Sequence, residues 1–183
     1  MVTPSVARNS TVVSTSSTTG VGAGLTPDGE VRAIVARVLD PEVPVLTIDD
    51  LGILRDVTVD GYGHVEVTIT PTYSGCPAME AITADVTAAL ADHGLHDVSV
   101  RLVLAPAWTT DWMSDAGKAK LLEYGIAPPQ PRSDTSVAVT LTPRCPQCGS
   151  PEARELSRFG STACKSLWVC NACKEPFDSF KAI

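Results

Sequence analysis

At 183 residues with 44% apolar side chains, the chain is long enough for one domain with its own core plus a small appendage. Its formal net charge of −7 argues against general affinity for nucleic-acid phosphates. No apolar run approaches the ~20 residues that span a bilayer, so no membrane partner is expected.

The charge is unevenly spread. From Pro143 to the end there are six Lys/Arg and four Asp/Glu, a net of +2, which leaves −9 on residues 1–142. A mildly basic tail on an acidic body predicts two modules.

Residues 1–24 are rich in Ser, Thr and Gly and poor in large side chains. They have neither the apolar core nor the positive start of an export signal. This predicts a disordered N-terminal extension and a cytoplasmic location. "TPDGEVRAIVARVLD" then predicts a helix. Thr26 suits the cap, Pro27 the first helical position, and Asp28 and Glu30 the positive end. Val31, Ile34, Val35 and Val38 recur on one face. The prolines of "DPEVPVL" end that helix, and "TIDDLGI" reads as a short turn.

Two β-branched runs around Asp60-Gly61-Tyr62-Gly63 predict a hairpin. After Cys76, the residues Met79, Ile82, Val86, Leu90 and His93 follow at helical steps, and Gly94 stops the helix. "DVSVRLVLAPAW" predicts a third strand and "DAGKAKLLEYGI" a last short helix. The order is α-β-β-α-β-α, an α+β sandwich over residues 25–127 with helices on one face of a small sheet. A proline-rich linker follows at 128–137, and residues 138–183 form a second module.

That second module holds five of the six cysteines. Cys145 and Cys148 are paired as C-x-x-C, as are Cys170 and Cys173, with 21 residues between the pairs. Two residues between thiolates let a tight knuckle present both to one ion, and two knuckles complete a tetrahedron. A structural zinc ribbon follows, whose metal supplies the folding energy that so short a segment lacks. Rubredoxin-like iron and a redox dithiol pair are the alternatives. Cys164 is not needed for four-coordination. It reads as a packing residue, a reactive thiol or an alternative ligand, with Lys165 placed to lower its pKa if close in space.

Cys76, in "YSGCPAME", lies where a strand turns into a helix. With Cys76 at the cap and Pro77 at the first helical position, the free amides and positive helix end would favour thiolate. Gly75 allows an unusual backbone angle there. The placement suits nucleophilic or metal-binding chemistry, or alternatively a small buried residue closing the corner. A Cys–His hydrolase is disfavoured, since His93 and His96 lie about 25 Å along the helix that Cys76 begins.

Two stretches carry a resemblance. "LDPEVPVLTIDDLGILRDVTV" and "VTITPTYSGCPAMEAI" resemble the small domain of iron–sulfur cluster assembly proteins, by Asp40-Pro41-Glu42, Asp50–Ile53 and Cys76-Pro77. With "LAPAWTTDWMSDAGKAKLLEYGIAPP", "FGSTACKSLWVC" and "EPFDSFK", the chain from about residue 27 to 181 resembles the D subunits of bacterial phenylacetyl-CoA epoxidases, a multicomponent oxygenase of aromatic catabolism.

The resemblance implies an accessory role. In that system a di-iron oxygenase epoxidises the ring and a flavin and iron–sulfur reductase supplies electrons. This chain has no Glu-x-x-His pair, no Gly-rich dinucleotide turn and no plant-type [2Fe–2S] loop. No catalytic activity of its own is therefore expected. The implied function is maturation: assembling or inserting the cluster or di-iron centre of the oxygenase and reductase subunits. Cys76 would hold iron or a cluster transiently, with Asp40, Glu42 and Asp50 as supporting oxygen ligands or loop holders. These carboxylates also read plainly as caps and solvated charges. A structural or regulatory subunit of the oxygenase is the second reading. A zinc-ribbon nucleic-acid binder is the third, disfavoured by a tail of only +2 without an aromatic–basic array. Self-association as a homodimer is left open.

Overall fold

A computed structural model describes residues 27–130 and 142–182. The N-terminal extension, the Thr26 cap and most of the linker lie outside these residues.

Helix α1 (Pro27–Val35) opens the first domain, followed by β1 (Leu54–Val59), β2 (Val65–Ile69), α2 (Ala78–Ala91), β3 (Val98–Leu102) and α3 (Asp115–Glu123). The order matches the expectation. β1 and β2 are antiparallel, and β2 and β3 are parallel, with α2 as the crossover. The hairpin turn is held by Asp60, whose carboxylate accepts from the Tyr62 and His64 amides. A register shift at Arg55 lets both Leu54 and Val57 face the core, three positions apart.

α1 packs on β1 and α2, and α2 packs on β3. The buried face of α2 is Ala78, Met79, Ile82, Val86 and Leu90. His93 does not extend it. It lies past the helix end, exposed, with Nδ1 against the Ala89 carbonyl. Gly94 takes φ +81, and the Leu95 amide returns to the Leu90 carbonyl, closing the helix.

Two stretches differ from expectation. The segment read as breaks and turns, 40–53, supplies core: Val43, Leu46, Ile48, Leu51 and Ile53 are all buried. Its backbone bonds are local turns, such as Leu46 N to Val43 O and Ile53 N to Ile48 O, so it carries neither a helical nor a strand period. Gly52 is required within it. Its φ is +70, and a Cβ there would meet the Trp112 carbonyl oxygen at 2.6 Å. The third strand ends at Leu102, not at Trp108. Trp108 is buried in the core instead, its indole N–H donating to the Leu51 carbonyl at 2.9 Å.

The second module is an antiparallel sheet of β4 (Ala153–Ser157), β5 (Lys165–Cys170) and β6 (Pro176–Phe180), with β5 central. It is docked on the first domain. Ala127 donates to the Asp178 carbonyl at 2.8 Å and accepts from the Phe180 amide at 2.9 Å. Cys164 and Phe180 belong to the main hydrophobic core, while Cys145, Cys170, Phe177 and Ala127 form a smaller one. The contact is apolar and backbone-paired. Among the described residues no helix is long and apolar enough to cross a membrane.

Candidate functional site

The four cysteines of the knuckles converge. The Sγ atoms of Cys145, Cys148, Cys170 and Cys173 all lie within 4.8 Å of one another. Cys145 is 3.7 Å from Cys173, and Cys148 is 3.6 Å from Cys170. Four sulfurs at ~2.3 Å from one tetrahedral ion stand ~3.8 Å apart, so this donor set fits such an ion.

The knuckles are built alike. The amide four residues after the first cysteine returns to its carbonyl: Gly149 to Cys145 at 2.8 Å, Lys174 to Cys170 at 3.0 Å. Both returning residues are left-handed, at φ 72 and 68. Gly149 suits that angle; Lys174 does so at a cost of ~1 kcal/mol or more. The thiols also titrate as a crowded set. Hydrogen bonding from the Cys173 amide, chiefly, lowers Cys170 to about 6. The Glu175 amide lowers Cys173, but burial and the three neighbouring thiols outweigh it and push Cys173 up to about 12.

Cys164 takes no part in this cluster. It lies six residues before Cys170, one end of β5 from the other, roughly 20 Å at ~3.3 Å per residue. The alternative-ligand reading for that ion fails on reach. Cys164 is instead buried against the first domain, its Sγ 3.0 Å from Thr162 Oγ1 and 3.9 Å from Glu42 Oε2.

Around that contact lies a second group. Cys76 is 9% exposed, at the end of the β2–α2 corner. Gly75 before it takes φ +88. The cap is Pro77 and the helix begins at Ala78, one residue later than expected. The Ala78 amide and the Tyr73 hydroxyl both favour the Cys76 thiolate. The thiol is nevertheless raised above its ordinary value. Burial is the largest cause, and the charges of Glu42 and Asp40 add to it. The helix end favours thiolate as expected, but desolvation wins. The same holds for Cys164, which burial raises although Thr162 and Lys165 pull the other way.

Asp40 and Glu42 face this group. Asp40 Oδ1 accepts from the Glu42 amide at 2.9 Å and the Val43 amide at 2.7 Å, so it shapes the turn. Burial raises its pKa against those amides and the Lys165 charge. Glu42 is half-buried and raised by burial and by Asp40. Burial pushes Tyr73 up to about 12, with Cys76 and Glu42 adding to it. Lys165, 4% exposed, sits within electrostatic reach of Asp40, Glu42 and Cys164. The sequence pointed to Lys165 only as a neighbour of Cys164; its nearness to the DPE turn is a tertiary fact.

Asp50 is held elsewhere. Its oxygens are occupied by Lys120 Nζ at 2.6 Å, by Ser114 Oγ at 3.1 Å, and by the amide and hydroxyl of Thr47, each at 3.1 Å. Burial alone would raise its pKa, but Lys120 and these hydrogen bonds hold it below the ordinary value. It ties the 47–50 turn to the start of α3. His64 and His93 are also committed away from the thiols. His64 bonds Asp97 and Ser99, and His93 the Ala89 carbonyl.

Two family models match the chain in order. Residues 28–102 match the iron–sulfur cluster assembly protein family, and residues 129–181 match the PaaD zinc beta ribbon domain. An Escherichia coli (strain K12) protein, named as the D subunit of a 1,2-phenylacetyl-CoA epoxidase, is 49% identical over 156 residues, covering 84% of this chain and 92% of that one. A Porphyromonas gingivalis (strain ATCC BAA-308 / W83) protein named Fe-S protein maturation auxiliary factor is 34% identical over 103 residues, 56% of this chain and 94% of its own. The Bacillus subtilis (strain 168) Fe-S protein maturation auxiliary factor YitW is 38% identical over 92 residues, 50% of this chain and 89% of its own. The shorter relatives span about half of this chain, whereas the Escherichia coli match spans 84% of it. On that end-to-end likeness, the chain belongs to the family of phenylacetyl-CoA epoxidase D subunits.

Proposed function

We propose that this chain is an accessory factor of a phenylacetyl-CoA epoxidase. It handles iron for the metal centres of the oxygenase and reductase subunits, in the cytoplasm, and carries out no ring chemistry itself. The observation that supports this most is the setting of Cys76. In the module that matches the iron–sulfur assembly family, a thiol at a strand–helix corner is surrounded by Tyr73, Glu42 and Asp40. A raised thiol stays protonated until a metal displaces the proton, which suits transient holding over permanent ligation.

The ribbon takes one zinc on Cys145, Cys148, Cys170 and Cys173. Four thiolates in a closed tetrahedron leave no open position, so the zinc is structural. It holds the ends of β4 and β5 and, through the Ala127 pairing, the ribbon's place on the body.

The test is to remove this protein from cells that make the complex and to measure iron and acid-labile sulfide in the purified oxygenase and reductase. Loss of metal from either partner, restored by the wild-type chain and not by Cys76→Ala, is the expected result. Full metal content without this chain would sink the proposal. The name of the Escherichia coli relative, as part of an epoxidase, favours a second reading in which the chain stays in the complex. Stoichiometric co-purification with the oxygenase distinguishes it.

A further inference from the structure

We propose that Cys164 of the ribbon joins Cys76 and Glu42 of the body in one labile site for a thiophilic divalent metal, with iron(II) as the cargo. This deepens the reading of Cys76 above and rests on it.

Four observations carry the inference. First, Cys164 is placed, not loose. Its carbonyl accepts from the Lys181 amide at 3.0 Å, and β6 beyond is paired to Ala127 of the body. Its thiol is thereby fixed in the main core, 3.9 Å from Glu42 Oε2. Second, Cys76 and Cys164 belong to the same buried cluster, with Tyr73 packed against it. Tyr73 and the Glu42 carboxylate both lie within electrostatic reach of the two thiols. Third, two sulfurs and one carboxylate form a mixed set that suits iron(II), cobalt(II) or zinc(II) more than calcium or magnesium.

Fourth, Lys165 is a buried cation beside this group. The residue is 4% exposed, and its charge lies within electrostatic reach of Asp40, Glu42 and Cys164. That cation would offset part of the negative charge that ionised thiols add beside Asp40 and Glu42.

Among the described residues, only the ribbon's own thiols lie within 4.8 Å of one another as a set. The second group is therefore more open than a structural cage. A metal must draw its donors together, and that reorganisation weakens binding and favours release. Binding displaces one proton from each thiol to solvent, with no change of oxidation state. Affinity therefore falls as pH falls.

The probe is cobalt(II) alone, added without oxygen to the full chain whose ribbon is already filled with zinc. The wild type should bind one further cobalt with a sulfur-to-cobalt charge-transfer band. Cys164→Ser should lower that band and weaken binding by about tenfold or more. Glu42→Gln, at a half-exposed position with no core to disturb, should weaken binding to a similar degree, and it decides the matter if Cys164→Ser fails to fold. If Cys76→Ser abolishes the band while Cys164→Ser and Glu42→Gln bind as the wild type, this proposal is overturned and the reading of Cys76 stands. Absence of any cobalt beyond the ribbon overturns it outright, whatever the cell-based maturation assay shows.

Discussion

The ring of Phe180, on the last strand of the ribbon, stands 6.2 Å from the ring of Trp108 at an interplanar angle of 53°. Both side chains are buried in the core of the first domain. The ribbon therefore completes a core that is not its own, and the two modules should unfold together. Phe180→Ala should cost about 3 kcal/mol and lower the midpoint of a single thermal transition. Two separate transitions, or an unchanged midpoint, would contradict this coupling. Deletion of residues 143–183 should likewise destabilise the body by uncovering Trp108.

The Asp50 hub predicts a pH dependence with a definite sign. Its folded pKa is depressed below the ordinary 3.8 by Lys120, Thr47 and Ser114 against the opposing effect of burial. The stability it contributes is present above the unfolded value and is lost as pH falls through the folded one. Asp50→Ala should cost about 1–2 kcal/mol at neutral pH, because part-buried donors lose a charged acceptor. The gap between variant and wild type should close below pH 3.8. Urea unfolding at several pH values measures it. A constant gap down to low pH would show that the loss is packing and not charge.

Cys76 should titrate above an ordinary thiol, because burial outweighs the Ala78 amide. With zinc protecting the ribbon, the alkylation rate of Cys76 should reach half its plateau above ~8.5, the usual thiol value. Glu42→Gln removes a negative charge that raises this thiol, so the midpoint should fall. A wild-type midpoint below the usual value would mean that the helix end dominates after all.

The ribbon should carry one metal ion per chain, by elemental analysis of the purified protein. The double variant Cys145→Ser with Cys170→Ser should carry none there. The left-handed residues of the knuckles offer a finer test. Gly149→Ala should cost about 1 kcal/mol, since it puts a Cβ at φ 72. Lys174→Gly should be neutral or slightly stabilising, since it relieves the same strain at φ 68. A large loss on Lys174→Gly would assign that lysine a role of its own.

Much was legible in the sequence because the signals are local. The knuckles follow from two residues between thiols, and four sulfurs indeed converge. The hairpin follows from Asp60 to Gly63, and α2 from apolar steps ended by Gly94. What is local in cause can be read along the chain. Segment 40–53 could not, because its buried side chains are arranged by turns with no constant period. Only the fold could separate Asp50, bound to Lys120 seventy positions away, from Asp40 and Glu42, which meet the thiols. The thiolate expected from the helix end was overruled for a similar reason. A helix terminus is visible in sequence, whereas the desolvation opposing it depends on what the rest of the chain packs around Cys76. And the nearness of Cys164 to Glu42, 122 positions apart, exists only because β6 pairs with Ala127 and lays the ribbon on the body.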